Sequence, residues 1–160
     1  MVALEYISEA NRYLINAKET LLKSPIEYER YTDPKYVSEA AGIGYLAALK
    51  AINGYLVEKG VSSSNLPSSI EGYWDAVNKY IPINGRLHAS LSIVYKIIHI
   101  GAYYRELDSV VAIKEGFAHI KKIIEMMEQL LSKSNTQKRL KESGVRYKRV
   151  NKSKKTKILN

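Results

Sequence analysis

The chain has 160 residues, no cysteine, and 25 basic against 16 acidic side chains, a formal net charge of +9. That length suits one domain with room for a real core, and its 46% apolar and 26% charged residues are ordinary for a soluble globular protein. The missing cysteine excludes a disulfide framework, thiolate-bound zinc and thiol catalysis, and it fits a reducing cytoplasm, the expected compartment.

The first helix is expected from about Leu4 to Lys23, with Ile7, Ala10, Leu14, Ala17 and Leu21 on one stripe at spacings of three and four. It must end before Ser24-Pro25, because the residue preceding a proline is pushed out of the helical region. No signal peptide is expected here, since the first residues carry no basic region and Glu9 and Arg12 follow at once. A polar, tyrosine-containing loop covers Ile26 to Asp33, with no convincing strand. Asp33 and Pro34 then form an N-cap and first-turn pair for the second helix, which reaches Lys59 and is closed by Gly60. One face of this helix is small: Ala40, Ala41, Gly44, Ala47, Ala48 and Ala51. Small side chains permit close approach by a neighbour, so this helix should be central. Lys50 and Asn53 interrupt its apolar run, and a lysine in mid-bilayer costs about 2.5–3.5 kcal/mol, so no membrane span is expected. Gly42 and Gly44 follow no strand and lack a third glycine in register, so they make no nucleotide loop.

The Ser62–Ser69 loop leads to a capping box, Ser68-Ser69-Ile70-Glu71, at the head of a short third helix through Tyr80 that buries Tyr73, Trp74 and Val77. Ile81 to Gly85 breaks the chain. A fourth helix, from about Arg86 to Tyr104, packs Leu87, Leu91, Val94 and Ile98. The fifth begins near Asp108 or Ser109 and runs to about Leu131, with Val110, Ile113, Phe117, Ile120, Ile124, Met127 and Leu131 as its core stripe. The expected fold is all-α, an up-and-down bundle of four long helices and one short one over residues 1–134.

The charge is laid out unevenly. Residues 1–134 balance, with 15 basic and 15 acidic side chains, whereas residues 135–160 hold ten basic residues against Glu142 alone. These ten are Lys138, Arg139, Lys141, Arg146, Lys148, Arg149, Lys152, Lys154, Lys155 and Lys157. A stretch with so much like charge and so little apolar surface is expected to be disordered in isolation, with Gly144 stopping any extension of the fifth helix. It is a candidate arm for RNA or another polyanion.

Catalytic and metal motifs are sparse. No HExxH, GxSxG or phosphate loop is present, and Glu115 and His119 are four apart, not the three of a Glu-x-x-His metal pair. No metal and no cofactor are expected, and His119 reads as a partly buried helix residue. One cluster stands out on the fourth helix: His88, Ser92, Tyr95, Lys96, His99 and Tyr103 recur at spacings of three and four. An imidazole that moves a proton beside an amine that stabilises phosphoryl charge would suit phosphate chemistry, while a tyrosine-rich face suits packing or a subunit interface.

The run Tyr95-Lys96-Ile97-Ile98-His99-Ile100-Gly101-Ala102-Tyr103-Tyr104 resembles the signature end of the HEPN superfamily, the higher eukaryotes and prokaryotes nucleotide-binding domains. Together with Asp108 to Phe117 and the small-residue second helix, it is similar to a bacterial family of small HEPN-like bundles. The likeness spans about Leu4 to Leu131. It implies a homodimer whose motif faces meet at the interface. It also implies either a metal-independent ribonuclease, the toxin of a toxin–antitoxin pair with a nucleotidyltransferase-type antitoxin, or a noncatalytic binding partner. His99 takes the motif histidine's place, but the arginine due at Ser92, Ile93 or Val94 is missing; Lys96 and Arg105 are the cations nearby. The expectation is therefore a noncatalytic module, binding a protein partner or RNA. If the chain cuts RNA instead, His99 and Lys96 are the pair to do it, on a face shared with His88, Ser92, Tyr95, Tyr103, Tyr104 and Arg105.

Overall fold

The computed structural model describes residues 2–157, with side chains over residues 2–143. The described residues form an all-α bundle. Helix α1 (Ala3–Leu21) is followed by a two-residue-stranded hairpin, β1 (Ile26–Glu27) and β2 (Arg30–Tyr31). Next come α2 (Pro34–Glu58), a 3-10 turn at Ser63–Asn65, α3 (Ile70–Tyr80) and α4 (Gly85–Ile93). The chain then continues without a break as a π-helix over Val94–Tyr104, and ends in α5 (Val110–Lys157). It divides into two compact units, Met1–Glu128 and Gln129–Asn160, the second being the distal part of α5.

Helix α2 is central. Its start is set by Asp33, whose carboxylate accepts from the Lys35 amide at 3.1 Å, with Pro34 in the first turn. Its end is closed by Gly60 at φ +92°, where the Gly60 amide donates to Val57 and the Val61 amide to Leu56, the paired bonds that satisfy a helix's last carbonyls. All six small residues of its expected face are buried. The resulting approach is close: a Cβ on Gly54 would stand 2.9 Å from the Ala3 carbonyl on α1, and one on Gly44 would stand 3.0 Å from Ile120 on α5. By length and composition α2 could span a bilayer, yet 56% of its most apolar window is buried inside the protein, where α2 packs against α1 and the π-helical stretch.

The expected core stripes are buried throughout, including Leu87, Leu91, Val94 and Ile98 along α4 and its continuation, and Val110 to Leu131 on α5. Four local features differ from expectation. The Ile26–Asp33 loop contains the hairpin, because Tyr28 and Glu29 both adopt left-handed backbone (φ 48° and 60°) and make a tight two-residue turn. The hairpin is stitched to the head of α5: the Tyr31 amide donates to Asp108, the Val110 amide donates to Glu29, and Arg30 pairs with Asp108 at 2.7 Å. At α3 the cap comes from Ser69, which accepts from the Gly72 amide at 3.2 Å, one residue later than the expected box, so Gly72 rather than Glu71 takes the third helical position and the box does not form. Trp74 is only half-buried, because its face is stacked on His88 rather than sunk into the core. Finally, the α5 backbone passes through Gly144 and stays helical to Lys157 rather than ending near Leu131, as lysine, arginine, glutamine and glutamate are all good helix formers.

Candidate functional site

The π-helical stretch builds the site. In an α-helix, about 3.6 residues per turn leaves residue i+5 about 140° around from residue i. The i→i+5 bonding of a π-helix widens the turn, so positions i+4 and i+5 both come to lie over position i. For His99 these are Tyr103 and Tyr104. The Tyr103 ring lies parallel to the imidazole, at 5.9 Å and 9°, and Tyr104 meets it edge-on at 5.1 Å and 87°. One turn back, Tyr95 sits at 5.5 Å. The stretch ends where Glu106 turns left-handed (φ 53°) and the Leu107 amide donates back to Gly101 at 3.0 Å.

Helix α2 supplies the opposite wall. Tyr45 is stacked on His99 with centroids 4.2 Å apart and planes inclined by 21°. Gly42 has no side chain to stand in the way of Tyr103; a Cβ there would sit 3.3 Å from that ring. Ser38 donates from its hydroxyl to the Tyr103 carbonyl at 3.2 Å, holding the end of the π-helix against α2. The rings border a cleft of about 660 Å³ whose remaining lining includes Tyr73 and Ser69 and the carboxylates of Glu39 and Glu71. Among the described residues no lysine or arginine lines it.

Burial pushes the His99 imidazole below the ordinary histidine value, favouring the neutral ring. Its nitrogens make no hydrogen bond among the described residues, and both remain open to solvent. Burial, with Tyr73, Tyr95 and Glu71 adding to it, pushes the Tyr45 hydroxyl up to about 12, so this wall stays un-ionised at any physiological pH. Tyr73 donates to the Asn53 side chain at 3.0 Å, which fixes α3 over α2.

The structure thus splits the face expected from helical spacing. His99, Tyr95, Tyr103 and Tyr104 come together, whereas Ser92, Lys96 and Arg105 do not line the cleft. Lys96 and Arg105 are exposed to solvent, so the expected His99–Lys96 pair does not share one pocket. His88 serves α3 instead: its ring lies on Trp74 at 5.0 Å and 7°, and Nε2 shares a 2.7 Å hydrogen bond with the Asn78 side chain. His119 is half-buried as expected, its Nδ1 hydrogen-bonded to the buried Ser90 hydroxyl at 3.0 Å. No group of histidines and carboxylates among the described residues is arranged to hold a metal ion. Lys138, Arg139 and Lys141 are exposed on α5. The side chains of Arg146, Lys148, Arg149, Lys152, Lys154, Lys155 and Lys157 lie outside those described. Sequence spacing missed Tyr45, Glu39 and Glu71, because they reach the site from other helices and no local pattern marks them. A second hollow, of about 540 Å³, is lined by Leu21 and Phe117 together with Lys18, Lys114 and Lys121, and none of the expected site residues lines it.

A family described as a domain of unknown function, DUF5618, matches residues 5–129. The chain belongs to that family. The DUF5618 span takes in every residue of the cleft and stops short of the basic stretch at residues 135–160. A solved structure of a protein of unknown function from Dyadobacter fermentans is similar to this DUF5618 chain. The two are 26% identical, with a TM-score of 0.70, and the match covers 81% of this chain and 98% of the other. No curated protein matches it.

Proposed function

We propose that this chain is a noncatalytic binding module, HEPN-like in its motif, that takes a partner's side group into the cleft around His99. The observation that carries this reading is the setting of His99. Cutting RNA at a ribose 2′-hydroxyl without metal needs a positioned base and a cation for the charge that develops on the phosphoryl oxygens. The His99 imidazole is stacked between Tyr45 and Tyr103, has no orienting hydrogen bond among the described residues, and shares its cleft with two carboxylates and no cation. Such a rim repels a phosphodiester. Stacked rings around an open cleft are instead suited to holding a flat group.

The basic stretch at residues 135–160 would serve separately as a polyanion contact, supported by its ten cations against one acid. The test is to incubate the full chain and its His99→Ala variant with labelled single-stranded RNA in the presence of a chelator. The RNA should stay intact with both. Metal-free cleavage that disappears in the variant, with circular dichroism unchanged, would overturn the reading in favour of a ribonuclease.

A further inference from the structure

We infer that the cleft binds a guanidinium group, the side chain of an arginine presented by a partner peptide. The inference rests on the binding reading above and names its ligand.

Three observations point the same way. The first is charge. Glu39 and Glu71 stand at the cleft and form no ion pair among the described residues, so the site is net negative and lacks a counter-ion. The second concerns the tyrosines. Elsewhere in the chain four tyrosines are covered by its own cations: Lys50 and Arg12 over Tyr13, at 4.7 and 5.7 Å, Lys35 and Lys23 over Tyr36, at 5.6 and 5.8 Å, and Lys59 over Tyr55 and Lys79 over Tyr80, both at 5.1 Å. Among the described residues none lies over Tyr45, Tyr95, Tyr103 or Tyr104, although these rings are concentrated in one place. A ring face attracts a cation, and several faces around one space attract it more strongly. The third is shape. Beside the Tyr45–His99 stack, Tyr103 and Tyr104 keep 42% and 65% of their surface exposed and meet at 4.8 Å with planes 81° apart, so a flat group can lie on one ring face against the other's edge.

Among biological cations the guanidinium alone is planar, stacks on aromatic faces and can present a fork of donors to a carboxylate at the same time. A lysine ammonium meets the charge but not the shape, and a nucleotide meets the shape but brings phosphates to a negative rim. The neutral form of His99, favoured by its burial, adds no opposing charge near pH 7.

The experiment is an NMR titration of the full chain, reading the tyrosine ring signals as Nα-acetyl-arginine amide is added. The neutral citrulline analogue, the lysine analogue and adenosine monophosphate are run alongside. The arginine amide should shift Tyr95, Tyr103 and Tyr104 and bind more tightly than each of the others. Glu39→Gln and Glu71→Gln, both at exposed positions where refolding is not at issue, should each weaken it by about two- to fivefold, the range for an exposed ion pair. Equal binding of citrulline or lysine amide overturns the guanidinium assignment. Adenosine monophosphate shifting the same rings more strongly also overturns it. Both results leave the cleft as a binding seat. No shift with any of the four overturns the inference outright, whereas the binding reading itself stands or falls on the RNA cleavage assay.

Discussion

Replacing Gly116 by alanine should destabilise the protein even though alanine is the better helix former. Gly116 lies where α5 crosses the π-helical stretch that carries His99. A Cβ there would stand 2.6 Å from Ile98 Cγ1, closer still to Ile98 Cδ1, and 3.3 Å from Ile97 Cγ2. Ile98 has no solvent exposure and therefore nowhere to retreat. Overpacking of this kind costs about 1–3 kcal/mol, and so severe a clash belongs at the upper end. Alanine's helix propensity returns about 0.8–1.0 kcal/mol. The net loss is about 1–2 kcal/mol, or about 2–8 °C in Tm at this chain length. Urea unfolding followed by circular dichroism measures it, and a second background isolates the cause. Ile98→Ala alone should cost about 2–5 kcal/mol by leaving a cavity. Gly116→Ala added to Ile98→Ala should then be neutral or stabilising by up to about 1 kcal/mol, since the methyl fills the vacated space. A Gly116→Ala protein as stable as wild type, or losses that simply add, would refute the close crossing.

Three further outcomes follow from the same coordinates. Burial lowers the His99 and His119 pKa values, with Lys122 adding at His119 and Glu115 opposing. As pH falls through the ordinary histidine value of 6.5, the unfolded chain takes up protons that the folded chain resists, so stability drops progressively from there toward the lower folded values. The urea midpoint should be lower at pH 5.5 than at pH 7.5, and the difference should shrink in a His99→Gln, His119→Asn double variant; an unchanged difference would remove the histidines as its source. Tyr28 and Glu29 hold left-handed backbone at φ 48° and 60°, which costs a residue with a Cβ about 1–2 kcal/mol. Tyr28→Asn with Glu29→Gly should therefore raise stability by about 1–2 kcal/mol in the same unfolding assay, and no gain would contradict the tight turn. The Arg30–Asp108 pair is exposed, so Arg30→Ala should cost only about 0.2–1 kcal/mol despite its 2.7 Å length, and a loss much above that would mean the guanidinium also secures the hairpin.

Helix positions were legible because each core stripe repeats at three and four and each boundary carries its own chemistry: Asp33 and Pro34 at the start of α2, Gly60 at its end, Pro25 after α1. The π-helix was not. Leu87, Leu91, Val94 and Ile98 keep spacings that an α-helix also satisfies, so nothing in the pattern marks the wider turn. That turn is what separates the expected face, leaving Lys96 outside the cleft and bringing both Tyr103 and Tyr104 onto His99. The hairpin escaped notice because Tyr28-Glu29 lacks the glycine or asparagine that usually announces such a turn. The far wall of the cleft, Tyr45 with Glu39 and Glu71, depends on long-range packing of α2 and α3, which no short-range spacing encodes. Spacing along one helix thus brought His99 together with Tyr95 and Tyr103, while the wall contributed by α2 and α3 lay beyond its reach.

The most direct test of the account is to record intermolecular NOEs between the full chain and a short peptide carrying one arginine. The arginine side-chain protons should contact the rings of Tyr95, Tyr103 and Tyr104. Contacts confined to another surface, such as the hollow lined by Leu21 and Phe117, with those rings silent, would contradict it.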